Sequence, residues 1–157
     1  MAGGKRGIDA QGVSSYVPCC LWERSLYGAS LGATRGLIQM DGDSYHVSKR
    51  LWAMANYSRF IRPGAIRVGA TTPDSALKLS AFRNTDGTVT VVALNTATEA
   101  DQAGLSLRNT GITSGTATPY LTNGSNSTAR QASVPVTAGS LTATVPARSL
   151  VTYTIRH

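Results

Sequence analysis

Eight carboxylate side chains are the first candidates for chemistry in this chain of 157 residues. Two carboxyl groups held close together can act as a general acid and a base, or as an acid and a nucleophile. Asp43 precedes a helix-like segment, Asp74 follows a proline, and Asp86 lies in an Asp-Gly turn, so all three have structural explanations. The full set is Asp9, Glu23, Asp41, Asp43, Asp74, Asp86, Glu99 and Asp101.

Other reactive residue types give no convincing arrangement. Cys19 and Cys20 are adjacent, and neighbouring cysteines rarely pair because disulfide geometry requires more widely separated Cα atoms. His46 and His157 are too distant in sequence to suggest a metal-ligand pair, and no Cys-x-x-Cys spacing occurs. No G-x-S-x-G elbow or phosphate-binding glycine loop is found. We therefore expect no metal and no cofactor.

Composition limits the partners and the location. The formal net charge is +7, but the basic residues are scattered singly rather than clustered with aromatic residues, which argues against nucleic-acid binding. No apolar run is long enough to span a membrane, so no membrane partner is expected. The N-terminal segment MAGGKRGIDAQG is not followed by the apolar stretch of a signal peptide. As written, the chain is expected to stay in the cytoplasm.

Residues 36–63 differ from those on either side. The apolar run GLIQM predicts a strand, and Asp43 is expected to cap a helix that begins at Ser44. A stripe of Val47, Leu51, Met54, Ser58 and Ile61 recurs at helical spacing. The helix should be about 18 residues long and should end at the Arg62-Pro63-Gly64 stop.

After Gly64 the pattern changes to short alternating runs. Leu77 to Asn95 is predicted to be a β-hairpin around the Asp-Gly turn. Further β-rich runs follow at a spacing of about 8–12 residues, which is typical of a β-sandwich. The serine- and threonine-rich part from Thr110 to Thr144 resembles a disordered stalk in composition. Its regularly spaced apolar residues favour strands instead.

A resemblance to a known family is found in three segments: NYSRFIRPGAIRVGAT, AFRNTDGTVTVVALNT and VPARSLVTYTI. In this order they resemble the C-terminal end of glycoside hydrolase family 30, and most closely its fungal endo-β-1,6-galactanase-like members. The resemblance covers residues 36–157. It implies a mainly β fold: an antiparallel β-sandwich side domain (64–157) after a remnant, the last strand and helix (36–63), of a (β/α)8 barrel. Residues 1–35 match poorly.

The resemblance also implies a function and its limits. Family members are secreted, retaining O-glycoside hydrolases, and the expected substrate is a β-linked galactan or a similar polysaccharide. Their two catalytic glutamates lie on the fourth and seventh barrel strands, upstream of all matched residues. About seven βα units are therefore expected to be missing, no catalytic residue is assigned, and the chain alone is expected to be inactive.

Two residues are candidates for contact with the polysaccharide. Trp22 resembles a tryptophan that the family carries near the sugar site, and Asp41 follows the predicted last barrel strand. An ordinary packed tryptophan and a solvated turn aspartate are the alternatives. Glu23 is adjacent to Trp22 but matches no nucleophile motif of the family.

Three further expectations complete the prediction. Asn56, Asn123 and Asn126 lie in Asn-x-Ser/Thr motifs and are candidate glycosylation sites, with Asn56 expected to point away from the apolar stripe. The exposed apolar helix face is expected to promote self-association. A non-catalytic carbohydrate-binding or scaffold module is the alternative function, although the sandwich has no tryptophan for sugar stacking.

Overall fold

The computed structural model describes residues 36–41 and 43–157, and the chain forms two compact units, Met1–Leu51 and Trp52–His157. The described part is mainly β, as predicted, with a single α-helix. The elements in chain order are β1 (Ile38–Asp41), β2 (Ser44–Val47), α1 (Lys49–Ser58), β3 (Ile66–Val68), β4 (Leu77–Arg83), β5 (Val89–Asn95), β6 (Asp101–Ser106), β7 (Gly115–Thr122), β8 (Ala129–Arg130), β9 (Val134–Val136), β10 (Ser140–Val145) and β11 (Ser149–Arg156).

In the first unit, β1 and β2 form an antiparallel hairpin. Ile38 pairs with Val47 and Asp41 pairs with Ser44. The prediction that Asp43 caps a helix beginning at Ser44 is therefore wrong. The sequence Gly-Asp between two runs that contain aromatic or β-branched residues favours a two-residue hairpin, and this local preference outweighs the helical spacing of the apolar residues.

Helix α1 is shorter than predicted, with 10 residues from Lys49 to Ser58. It begins after Ser48, whose hydroxyl donates hydrogen bonds to the carbonyl oxygens of Gly36 and Leu37, at 3.1 and 2.9 Å. A turn at residues 59 and 60 and a bend at residue 61 follow the helix. The helical stripe was also misjudged, because Met54 is 51% exposed while Ala55 and Asn56 form the buried face.

The second unit contains a seven-stranded sheet and a two-stranded sheet. The larger sheet has the order β3-β4-β5-β11-β7-β8, with β9 also paired to β7, and its pairs are antiparallel. The smaller sheet consists of β10 and β6. Every β-rich run that was predicted after Gly64 contributes a strand, including those between Thr110 and Thr144.

The core lies between the two sheets. Strands alternate their side chains across a sheet, so every second residue of β10 faces inward, and Leu141, Ala143 and Val145 are buried. They pack with inward residues of β5, β7 and β11, including Val91, Leu121 and Tyr153. The central strand β5 is buried on both faces from Val89 to Ala93.

The predicted β4–β5 hairpin is confirmed, with Leu77 paired to Asn95 and Arg83 paired to Val89. Asn84 and Thr88 close its loop through a backbone hydrogen bond of 2.9 Å. Gly87 has a φ of +82°, a left-handed conformation that glycine adopts without the steric cost of a side chain.

Candidate functional site

Two of the carboxylates that the structure describes have structural roles. Asp74 accepts a hydrogen bond from the amide of Ala76, and Asp86 accepts one from the amide of Thr88 at 2.9 Å. The hydrogen bonds from Thr88 lower the pKa of Asp86 below its ordinary value, which is the reverse of what a catalytic acid requires. Among the described residues, no three His, Cys, Asp or Glu side chains gather closely enough to hold a metal ion.

Of the remaining carboxylate candidates, Glu99 and Asp101 lie in the second unit, and the others lie in the first unit or outside the described residues. Asp41 is the last residue of β1 and pairs with Ser44, rather than standing in a loop. Trp22, Glu23 and the two cysteines lie outside the described residues, so their predicted roles stay predictions. Within the described ranges, α1 has neither the length nor the apolar character needed to cross a bilayer.

Asn56 anchors the end of α1 to the outer face of the large sheet. Its Nδ2 donates to the carbonyl oxygen of Trp52 at 2.8 Å and to Oγ1 of Thr122 at 2.7 Å. The hydroxyl of Thr152 donates to Asn56 Oδ1 at 2.8 Å. The side chain is 0% exposed, so Asn56 lies on the buried face of α1 rather than pointing to solvent. Its amide is instead the polar link between the helix and strands β7 and β11.

Asn84 forms a second anchor at the turns after the helix. Its Nδ2 donates to the carbonyl oxygen of Phe60 at 2.9 Å, and its Oδ1 accepts from the amide of Arg62 at 3.0 Å. The hydroxyl of Thr90 donates to the same Phe60 carbonyl at 3.1 Å. Because turns leave backbone groups unpaired, these bonds fix the path of the chain into the sandwich.

Aromatic contacts cover the space between these anchors. The rings of Phe60 and Tyr120 lie 4.4 Å apart between centroids, and Tyr57 meets Phe82 edge to face at 6.5 Å. The third aromatic residue of the sandwich, Tyr153, is buried. A sugar-binding platform requires a ring whose face is open to solvent. All three aromatic residues of 64–157 are instead engaged in packing.

A groove lies at the open side of the sandwich, next to β10. It has a volume of about 270 Å³ and is lined mainly by apolar atoms of β7, β10 and β11 and of the segment before β9. Tyr153 lines it and donates its hydroxyl hydrogen to the Thr144 carbonyl oxygen at 2.7 Å. In the described part of the chain, β6 is the one strand that pairs with β10, and the other edge of β10 carries a single bridge, between Ser140 and Thr137. The groove holds no carboxylate.

Sequence reasoning missed both asparagine anchors. An asparagine in the middle of a short helix is unfavourable unless its amide is engaged, and this is the signal that Asn56 offered. A second signal for these anchors came from buried threonines on the outer face of the central strands, namely Thr90, Thr122 and Thr152. Alternating threonines usually indicate a solvated face, and only the helix position shows otherwise.

The site is therefore a helix that buried asparagine side chains hold against the outer face of an antiparallel β-sandwich domain. The family model for the "Glycosyl hydrolase family 30 beta sandwich domain" matches residues 64–153. The chain belongs to glycosyl hydrolase family 30. The resemblance inferred from the sequence is confirmed at the level of the family.

Relatives of this family include enzymes that act on xylan. Glucuronoxylanase XynC of Bacillus subtilis is 30% identical over 112 residues, covering 71% of this chain and 26% of the relative. The GH30 endoxylanase of Clostridium papyrosolvens C71 is 33% identical with a TM-score of 0.65, over 71% of this chain and 28% of that structure.

A further solved structure gives the same result. The catalytic domain of GH30 xylanase C from Talaromyces cellulolyticus is 33% identical with a TM-score of 0.69, over 78% of this chain and 28% of that structure. The chain thus spans 26% of the length of the first relative and 28% of these two structures. These relatives confirm neither the galactanase-like subtype nor a fungal origin.

Proposed function

We propose that this chain is the side-domain portion of a retaining O-glycoside hydrolase that acts on a β-linked polysaccharide. The buried Asn56 anchor is the observation that carries the proposal. In its support, the outer face of the large sheet holds α1 through this fully buried side chain. The domain would act by positioning that helix.

The chain by itself is proposed to be inactive. A retaining glycosidase needs two carboxyl groups about 5–5.5 Å apart, one acting as acid and base and the other as nucleophile. By the family resemblance both are glutamates of barrel strands that precede residue 36. In support, Asp74 and Asp86 serve turns, and the groove beside β10 holds no carboxylate.

For the substrate we propose β-1,6-galactan, on the resemblance of the segments NYSRFIRPGAIRVGAT and AFRNTDGTVTVVALNT to galactanase-like members. Xylan is the second candidate, and it is favoured because the three relatives are a glucuronoxylanase, an endoxylanase and a xylanase. The whole enzyme is proposed to work outside the cell, where such polysaccharides occur.

The test is a long incubation of the purified chain with β-1,6-galactan and, separately, with glucuronoxylan. Reducing ends are counted, and a full-length family 30 enzyme serves as the positive control for each substrate. We expect no release from either polysaccharide. Release that is lost in Glu23→Gln would show that a working carboxylate pair exists within this chain, and the proposal would be wrong.

The alternative is a non-catalytic carbohydrate-binding module, which the same preparation can test. The chain is mixed with insoluble galactan or xylan, and the fraction that sediments is measured. We expect no sedimentation above that of an unrelated protein, because the aromatic rings of the sandwich are engaged in packing. Saturable sedimentation would favour the binding module.

A further inference from the structure

The connection between β7 and β8 contains two glycosylation motifs that start three residues apart, at Asn123 and Asn126. It is organised around one oxygen atom. Oδ1 of Asn123 accepts hydrogen bonds from the amide of Ser125 at 3.0 Å, the amide of Asn126 at 2.8 Å and Nδ2 of Asn126 at 3.1 Å. The carboxamide oxygen therefore fixes the shape of the turn.

The nitrogen of the same carboxamide is differently placed. Within the described part of the chain, Nδ2 of Asn123 makes no hydrogen bond, and the next two residues, Gly124 and Ser125, are exposed. A glycan is attached through Nδ2, so all three bonds to Oδ1 can persist in the modified protein. We propose that Asn123 is the single N-glycosylated residue of this chain when it passes through a eukaryotic secretory pathway.

The neighbouring motif is engaged in the fold. Nδ2 of Asn126 donates to Asn123, and its hydroxyl residue, Thr128, is 5% exposed with a φ of +53°. The Thr128 amide donates to Oγ1 of Thr122 at 2.9 Å. A glycan on Asn126 would compete with the contacts that close this turn.

The motif at Asn56 is incompatible with a glycan in the folded protein. Both hydrogens of its Nδ2 are directed at acceptors, and the residue has no exposed surface. In a chain that carries a glycan on Asn56, α1 could not pack against the sheet. Asn123 is thus the motif at which the fold leaves the nitrogen free.

The reaction is the ordinary transfer from a lipid-linked oligosaccharide, catalysed by the membrane-bound transferase of the secretory pathway. The anomeric carbon forms a bond with Nδ2, its bond to the pyrophosphate oxygen breaks, and the lipid pyrophosphate leaves. Nδ2 loses one proton. No oxidant or reductant is required.

For the test, the full chain is fused to a secretion leader and expressed in yeast or insect cells. This design does not depend on where the protein is located in its own cell. The inference draws on the proposed secreted function, but its readout is mass rather than hydrolysis, so the two can fail separately. The secreted protein is treated with an N-glycanase, and the loss of mass is measured. Three variants remove one motif each: Ser125→Ala for Asn123, Thr128→Ala for Asn126 and Ser58→Ala for Asn56.

We expect one glycan per chain, lost in Ser125→Ala and kept in Thr128→Ala and Ser58→Ala. Enzymatic release in heavy-oxygen water converts the occupied asparagine to a labelled aspartate, so peptide mapping of the unmodified sequence locates the site even if a variant fails to fold. A label at Asn126 or Asn56, or secreted protein without a glycan, would overturn the proposal.

Discussion

Replacing Asn56 by alanine should destabilise the second unit strongly, although the residue is polar and lies on a surface helix. The side chain makes three hydrogen bonds of 2.7–2.8 Å in a site with no exposed surface. Each contributes about 1 kcal/mol net. Alanine recovers about 0.5 kcal/mol through its higher helix propensity. The expected loss in the free energy of unfolding is therefore about 2–3 kcal/mol.

The partners of Asn56 limit this loss. The hydroxyl of Thr152 also donates to the backbone carbonyl of Asn56 at 2.9 Å, and Thr122 still accepts from the amide of Thr128. Both hydroxyls therefore keep a hydrogen-bond partner in the variant. A buried hydroxyl without a partner would add a further desolvation cost.

The assay is urea unfolding, followed by circular dichroism and tryptophan fluorescence, with Met54→Ala as the matched control. Met54 lies on the same helix but is half exposed, so its replacement should cost less than about 1 kcal/mol. A double-mutant cycle adds Thr152→Val to each variant. We expect a coupling energy of about 1 kcal/mol with Asn56→Ala and none with Met54→Ala. An equal loss in the free energy of unfolding for the two single variants, or no coupling energy in either cycle, would refute the anchoring role of Asn56.

Three further perturbations have defined outcomes. Burial raises the pKa of Tyr153 to about 12 from 10.0, so its neutral phenol stabilises the fold fully below pH 10 and loses this effect as the pH rises towards 12. Tyr153→Phe should cost about 1–2 kcal/mol at neutral pH through the lost bond to Thr144, and should flatten the alkaline fall in stability measured by pH-dependent unfolding. Gly115→Ala should lower the melting temperature, because a methyl group there would overlap the carbonyl oxygen of Arg156. Thr144→Lys should reduce self-association in light scattering, because a lysine at an unpaired strand edge opposes pairing with another chain.

Each of these has a control or a contradicting result. An alkaline transition that is identical in Tyr153→Phe would exclude this phenol as its cause. Gly104→Ala places a methyl group in open space on β6, and a melting temperature as low as that of Gly115→Ala would contradict the steric argument. Thr98→Lys adds the same charge at an exposed loop residue, so an equal fall in scattering would indicate net charge rather than the β10 edge.

The sequence alone was sufficient to predict the family, the β-sandwich fold and nearly every strand after Gly64. Short alternating runs separated by turn residues define strands locally, because the period of two and the Asp-Gly turn need no distant partner. The 84–88 loop is one case, where Asp86 and Gly87 occupy the turn that their residue types favour.

Only the tertiary structure decided which face of α1 is buried and where the helix begins. The apolar spacing through Val47 and Met54 predicted one face, but hydrogen-bond partners on β7 and β11 select the face that carries Asn56. Thr122 and Thr152 lie 66 and 96 residues further along the chain, so no local pattern around Asn56 reveals them. A buried amide depends on its partners, and those partners come together only when the sheet has formed.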